Sequence, residues 1–340
     1  MRKSKYNVAV VGVGAVGIEM LRCLKRRNFP VAELRVFARS ARDIQVDGQA
    51  YPVQAISPGG FQGVNIALFA GTEGEKGAAV TYAPEAIKRG VVVVDNGADF
   101  RMDPKVPLVV PEVNAKDIQK HKGIIANPNC STIQMVVALW PIYRKAGIKR
   151  AVVTTLQASS GAGRAAVEQL KEENSLIASG GYENVHVKAE NKSMPQQLAY
   201  NVFPHIGGFA EDDYTSEEWK LVKETHKIMH DNKIKISATT VRVPVRTGHS
   251  EAVYIETARP LSPEKAKGIL AGAPGIIVID EPKNNLYPMP KDVEGKDEVF
   301  VGRIRRDPFV KNGLWLWIVS DNLLKGAALN AVQIAESLIK

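Results

Sequence analysis

Two side chains in this 340-residue chain have the types and settings for nucleophilic chemistry, Cys130 and His249. Cys130 lies in Ile124-Ile125-Ala126-Asn127-Pro128-Asn129-Cys130-Ser131-Thr132-Ile133, where a short apolar run meets Asn-Pro and a second apolar stretch begins. Pro128 disfavours helix at Asn127, so a strand or loop should stop there. Asn129 suits an N-cap, and residues 131 to about 146 read as a helix. That spacing puts Cys130 in the helix's first turn, where unpaired N–H groups and the positive end of the dipole favour a thiolate. A free thiol of pKa ~8.5 is only a few per cent ionised at pH 7, and a shift of about 1.5 units makes it mostly anionic. The commoner fate of a free cysteine is packing as a small hydrophobe. Cys23, beside Leu21 and Leu24 in a helical pattern, is read that way.

A thiol nucleophile needs a proton acceptor, and His249 in Thr247-Gly248-His249-Ser250-Glu251 is the best candidate. It follows the strand-like Val241-Arg242-Val243-Pro244-Val245 and precedes another strand, so it is expected on a loop held by rigid neighbours. Histidine titrates near pH 6.5 and can both take and return a proton. Most histidines serve the surface or a satisfied core, and His121, His186, His205, His226 and His230 are read so. No pairing of histidines and acids has zinc-ligand spacing, so no metal is expected.

The elements that must position these groups begin with Asn7 to Val11, an apolar strand run followed by Gly12-Val13-Gly14-Ala15-Val16-Gly17. A helical pattern comes next, with Ile18, Leu21 and Leu24 on one face. Strand, Gly-x-Gly-x-x-Gly, then helix is the setting of a dinucleotide-binding turn, in which pyrophosphate sits at the helix N-terminus. An NAD-preferring site usually carries Asp or Glu at the end of the second strand, here Leu34 to Phe37. Instead Ala38-Arg39-Ser40-Ala41-Arg42 follows, with no acid before Asp43, and Arg39 and Ser40 suit a 2′-phosphate. NADP is therefore the expected cofactor.

Asp43 to Val53 alternates around Asp47-Gly48, a hairpin signal. Val64 to Ala70 and Val91 to Asp95 read as apolar strands, 71–76 as a polar loop and 77–89 as a helix. This alternation predicts a doubly wound α/β domain of the Rossmann type over 1–129, completed by a long terminal helix over 322–340. Over 130–321 the pattern changes. Strands are read at Ala151 to Gln157, Ser237 to Val245, Ala252 to Ala258, Phe300 to Arg305 and Leu314 to Val319, and a helix at Ser216 to His230. Few helices separate them, which predicts a second α+β domain with a mixed, largely antiparallel sheet. Residues 175–213 are rich in Gly, Asn and Pro and carry no clear pattern.

Composition excludes several classes. An apolar content of 45% is enough for a core, and no run approaches ~20 apolar residues, so no membrane span is expected. The N-terminus leads straight into a strand without a signal-peptide pattern, and two cysteines make no disulfide framework; a reducing cytoplasm fits. The net charge of +9 lacks the clustered basic and aromatic residues of a nucleic-acid surface, so attraction of small anions is its more economical use.

Taken together, several segments resemble the aspartate-semialdehyde dehydrogenase family. They include Val91–Asn96, Phe100-Arg101, Pro111–Asn114, Asn127–Thr132, Gln157–Gly163, Asp213–Glu218, Gly248–Glu251, Phe300–Arg305 and Ser320–Gly326. They run from the first domain to the last helix. The resemblance implies NADPH-dependent reduction of L-aspartyl 4-phosphate to L-aspartate 4-semialdehyde through a cysteine thioester, toward lysine, threonine, methionine and isoleucine. It makes Cys130 the nucleophile, His249 the general acid/base and Gln157 the residue that orients the acyl group. Arg242 would grip the α-carboxylate, Glu217 the α-ammonium, and Arg101 and Lys220, with Asn129, the phosphate. Ser160, Gly161 and Asn322 match cofactor contacts outside the first domain, and a homodimer with its substrate domains in contact is implied.

Charge independently supports this division. A zwitterion carrying a phosphoryl group needs one anionic partner and several cationic ones; arginine offers a fork and lysine a point charge. The chain departs from the family at its glycine loop, one residue shorter than the usual Gly-x-x-Gly-x-x-Gly, and at the shortened loop before Arg39. Two rivals remain. An N-acetyl-glutamyl-phosphate reductase would leave Glu217 without a cation. A non-catalytic nucleotide-binding or structural paralogue would have no need of Cys130, Gln157, Arg242 and His249 together.

Overall fold

The computed structural model describes residues 4–71, 77–183, 185 and 193–340. The sequence readings of 72–76, of His186 and of part of 175–213 lie outside them. The chain divides into two compact units, Met1–Asn129 with Gly326–Lys340, and Cys130–Lys325.

The first unit runs β1 (Tyr6–Val11), α1 (Ala15–Arg26), β2 (Val31–Ala38), β3 (Arg42–Val46), β4 (Gln49–Ala55), β5 (Ile66–Phe69), α2 (Ala78–Lys88), β6 (Val92–Asp95), α3 (Pro111–Asn114) and β7 (Ile124–Ala126). Among the described residues these strands form one sheet in the order β3-β4-β2-β1-β5-β6-β7. Every pairing is parallel except the β3–β4 hairpin. Its turn, Asp47-Gly48, takes positive φ at both residues, as a tight two-residue hairpin requires. Val8 to Val11 and Ile66 to Phe69 are wholly buried, which is why they read as continuous apolar runs.

The C-terminal helix, Leu329–Ile339, packs against α1 and β6 within this unit. Asn330 Nδ2 donates to Val109 O at 3.0 Å and to Asn127 Oδ1 at 2.7 Å. The helix starts later than the 322 read from sequence. Asn322 and Leu323 form a turn, and Leu324–Ala328 is a π-type segment. Asp321 Oδ1 accepts the N–H groups of Leu323 and Leu324 and so caps the start of this turn and π segment.

The second unit runs α4 (Cys130–Ala146), β8 (Ile148–Gln157), α5 (Arg164–Ala178), α6 (Ser216–Met229), β9 (Lys235–Arg242), β10 (His249–Thr257), α7 (Pro263–Ala271), β11 (Ile276–Val278), α8 (Pro290–Val293), β12 (Val299–Arg306) and β13 (Gly313–Ser320). The sheet order is β11-β12-β13-β10-β8-β9. β8–β9 and β11–β12 are parallel and the other pairs antiparallel, so the sheet is mixed. α4 packs on β10, β13 and β8, and α6 packs on β9 and α4.

Two boundaries correct the sequence reading. β9 stops at Arg242 because, although the Val243 N–H still reaches Gln157 O, Pro244 has no N–H and the Val245 N–H turns back to Val243 O. β10 starts at His249, which pairs with Ser320, so His249 is the first residue of a strand and not part of a loop.

Candidate active site

In the second sheet, β13, β10, β8 and β9 are successive neighbours. At one edge they present Ser320, His249, Gln157 and Arg242, with His249 paired to Ser320 and Gln157 to Arg242. All four are buried. Arg242 and His249 therefore stand two strands apart, and residues 243–248 carry the chain across the end of β8.

Above this edge α4 begins at Cys130 itself, as the Asn-Pro-Asn sequence predicts. Cys130 is partly exposed while the residues behind it are buried. Gln157 Nε2 donates to Ser131 Oγ at 2.7 Å and to Glu217 Oε1 at 3.3 Å, so the amide links α4 to α6. α6 is fixed in turn by a capping box between Thr215 and Glu218. Lys220 Nζ lies 3.4 Å from Glu217 Oε2, one turn along the same face.

Arg242 is nearly buried, and its Nη1 donates to Ala158 O at 2.5 Å. Its Nε is a buried donor without a partner, as suits a guanidinium that awaits an anion. Burial draws its pKa down, while the charges of Glu217 and Cys130 push it up.

His249 is fully buried. Its Nδ1 accepts the Ala158 N–H at 3.0 Å, and Nε2 is buried with no hydrogen-bond partner. Burial, and then the Arg242 charge, hold its pKa well below the ordinary imidazole range. A Cβ on Gly161 would lie 2.9 Å from His249 Cε1 and Nε2 and 3.4 Å from Arg242 Nη1. The glycine backbone is therefore packed on the imidazole. Ser160 Oγ and Asn322 are hydrogen-bonded to each other, and Asn322 Oδ1 also accepts the Gly248 N–H at 2.9 Å. Ser160, Gly161 and Asn322 thus gather around the His249 end of the sheet.

Other residues picked out in the sequence sit in the first unit. Gly12 has φ +101°, and a Cβ on Gly17 would fall 1.9 Å from Gly12 O, so both glycines are required by the close strand-to-helix turn. Gly14 is exposed at the N-cap of α1 with Val13, Ala15 and Val16 around it, and this open helix end fits a pyrophosphate. Arg39 and Ser40 are exposed after β2, and Arg42 Nη1 donates to Ser40 Oγ at 3.2 Å, which fits a 2′-phosphate contact. Asn129 is buried immediately before α4. Arg101 is buried too; its Nε donates to Asn127 O and its Nη2 to Asn96 O, both at 2.9 Å, so part of its fork braces the unit.

Of the remaining histidines, His121 accepts the Gly123 N–H, His226 meets Ile234 O, His205 stacks on Phe209, and His230 closes α6. Cys23 is fully buried. Among the described residues no group of three or more His, Cys, Asp or Glu is arranged to hold a metal ion. Three participants escaped the sequence reading: Ser131, the Ala158 backbone, and Glu251. Only Glu251 had a local signal, since it lies two residues along a strand from His249 and so shares its face.

Comparison with known proteins gives the family. Residues 7–121 match a family model described as semialdehyde dehydrogenase, NAD binding domain, and residues 139–325 match semialdehyde dehydrogenase, dimerisation domain. The chain is 54% identical over 343 residues to an aspartate-semialdehyde dehydrogenase from Aquifex aeolicus, covering 98% of each, and 50% identical to that of Bacillus subtilis over 98% of this chain and 97% of the other. A Vibrio cholerae crystal structure, aspartate semialdehyde dehydrogenase II complexed with ASA, matches at 44% identity and a TM-score of 0.92, covering 99% of both chains. A Candida albicans enzyme crystallised with NADP matches at 26% identity and a TM-score of 0.73, over 98% of both chains. The chain belongs to the aspartate-semialdehyde dehydrogenase family.

Proposed function

We propose that the protein reduces L-aspartyl 4-phosphate to L-aspartate 4-semialdehyde with NADPH, reversibly, through a thioester on Cys130. The observation that carries the reading is the convergence, within one unit, of a helix-initiating thiol with Gln157, Arg242, Glu217 and His249. This set answers a zwitterion: Arg242 takes the α-carboxylate and Glu217 the α-ammonium, while Lys220 supplies a point charge for the phosphate. Arg101 and Asn129 are assigned to the phosphate by family resemblance. Gln157, tied to Ser131 and Glu217, orients the acyl group against Cys130.

The thiolate attacks the acyl carbon, the carbon–oxygen bond to phosphate breaks, and phosphate leaves with the bonding pair. A nicotinamide cofactor bound by these residues would supply the hydride for reduction of the thioester. Collapse of the resulting thiohemiacetal returns the thiolate and releases the aldehyde. His249 serves as the acid/base or hydrogen-bonding group at the acyl oxygen. In the first unit the turn Gly12–Gly17 holds the pyrophosphate and Arg39 and Ser40 the 2′-phosphate; in the second, Ser160, Gly161 and Asn322 contact the cofactor. The enzyme works in the cytoplasm as a homodimer, on the branch toward lysine, threonine, methionine and isoleucine. Support for the dimer is the match to a dimerisation domain.

A hydride-transfer assay with aspartyl phosphate and with the N-acetylated glutamyl analogue decides between this reading and its rivals. Turnover of the first alone is expected. Preference for the acetylated substrate would contradict Glu217's role, and turnover of neither would leave a nucleotide-binding paralogue. Cys130→Ser is expected to abolish reduction while NADPH binding by fluorescence stays close to wild type, because a serine alkoxide is scarcely available at pH 7.

A further inference from the structure

Beneath the edge that carries Gln157 and His249, a second row of polar side chains is buried where apolar ones would ordinarily pack. Antiparallel partners, and alternate residues of one strand, share a face of the sheet. Thr155 on β8 therefore shares the face of Gln157, and Glu251, directly opposite Thr155 on β10, shares the face of His249 and Ser320. α4 covers this face: Ser320 Oγ donates to Gln134 Oε1 at 2.6 Å, and Gln157 Nε2 to Ser131 Oγ at 2.7 Å. Gln134, Thr155, Glu251 and Ser320 are all wholly buried.

The bond to Ser320 sets the direction of the Gln134 amide. Its oxygen is taken, so its nitrogen faces away from Ser320 with N–H to give. That nitrogen, both Glu251 carboxyl oxygens and Thr155 Oγ1 are buried without a partner of ordinary geometry. Donor and acceptors are complementary, and native interiors pair such groups. The Gln134 amide is also the group that pulls the Glu251 carboxyl back against the effect of burial. Gln134 follows Cys130 by four residues, which puts it on the same side of α4 one turn further in. A helix tied at one point still turns about its axis. α4 is tied to β8 through Ser131 and, one turn on, to β13 through Gln134; β10 lies between those strands and offers Glu251.

We propose that Glu251 and Gln134 are positioning residues of this site, a buried acid–amide pair that locks α4 against β10 and so fixes where the Cys130 sulfur stands. The proposal rests on the reading of Cys130 as nucleophile. Both side chains act through α4, and what the pair needs is shape and hydrogen bonding rather than charge. A protonated acid has one oxygen to receive the Gln134 N–H and one O–H to give, and Thr155 Oγ1 stands opposite to take it. A misplacement of about 1 Å at the sulfur costs on the order of 100-fold in rate.

Steady-state kinetics of the whole enzyme, run well below each variant's Tm, test the pair. Glu251→Leu and Gln134→Leu should each lower kcat roughly 10- to 100-fold, while the KM for the semialdehyde and the Kd for NADPH by fluorescence change by less than about threefold. The double variant should fall no further than the slower single one, because the two side chains act as a unit. Glu251→Gln keeps the shape and the neutral hydrogen bonds, and should recover kcat to within about threefold of wild type. Leucine variants that lose Tm but keep the wild-type kcat would make the pair a packing contact and overturn the proposal. So would a Glu251→Gln enzyme as slow as Glu251→Leu, since an ionised carboxylate would then be required.

Ser320→Ala removes one hydroxyl and decides the matter where a leucine variant does not fold. It releases the amide and should lower kcat by about threefold or more with both binding constants held; an unchanged kcat contradicts the proposal. Cys130→Ser in the same assay keeps the two readings apart. Full turnover there removes the nucleophile and this proposal with it, whereas an inactive Cys130→Ser beside an unimpaired Glu251→Leu removes the proposal alone.

Discussion

Arg39 stands exposed where an NAD-preferring site would carry an acid, and a 2′-phosphate is the group that would use it. Arg39→Ala should weaken NADPH binding by roughly 10- to 100-fold and NADH binding far less, the range for one lost charged hydrogen bond. Equal weakening of both, by titration calorimetry, would show that Arg39 does not meet the phosphate. Lys220 poses a sharper question, because it already lies 3.4 Å from Glu217 Oε2. If that contact were its whole role it would be a partly exposed ion pair of small consequence. As a phosphate ligand it matters more. In the reverse reaction Lys220→Ala should raise the KM for phosphate by about tenfold or more while that for the semialdehyde moves little. Phosphate kinetics equal to wild type would return Lys220 to the role of a solvated helix charge.

At the scale of elements, what decides function is where strands end. Gly161 touches this directly, since its missing Cβ is the space in which His249 and Arg242 sit. Gly161→Ala must displace one of them, at a strain of about 1–3 kcal/mol by the usual measure of overpacking. The expected result is a large fall in kcat/KM with the fold retained by circular dichroism; activity near wild type would mean that both side chains yield freely. The sequence made β1, its glycine turn and α1 legible because each is signalled by neighbours in the chain. The hairpin at Asp47-Gly48 and the start of α4 at Cys130 were legible for the same reason. The ends of β9 and β10 were not. β9 stops before Pro244, which the apolar alternation through Val245 masked, and Ser320, remote in sequence, extends β10 back to His249. The π segment after Asn322 was also hidden, because its helical periodicity is close to that of the α-helix it precedes. The side chains proposed for the site were picked out by type and motif, while the Ala158 N–H that meets the imidazole has no side-chain signature at all.

At the scale of the whole molecule, the net charge of +9 would favour anionic ligands, while one buried carboxyl resists ionisation. Glu251 is wholly buried, opposite Thr155 on β8, and neither carboxyl oxygen has a hydrogen-bond partner that meets ordinary geometry. Burial pushes its carboxyl well above the ordinary value near 4.5, with Gln134 pulling weakly the other way. The folded protein therefore holds the proton on Glu251 to higher pH than the unfolded chain does. Below pH ~4.5 the folded and unfolded chains both hold the proton, and its contribution to stability is fully present. Above that value the unfolded chain ionises first, and stability is lost as pH rises toward the folded pKa, at up to about 1.4 kcal/mol per pH unit. His249 acts in the opposite sense: its depressed value means that stability is lost as pH falls below its ordinary 6.5. Glu251→Gln keeps the shape of the neutral acid and removes the ionisation. Thermal melts should show its Tm rising relative to wild type as pH goes from about 5 to about 8, because the unfolded wild type ionises before the folded protein does. A Tm difference that stays constant across that window would mean that the folded protein ionises Glu251 at an ordinary pH, and that a cation or ordered water satisfies it beneath His249.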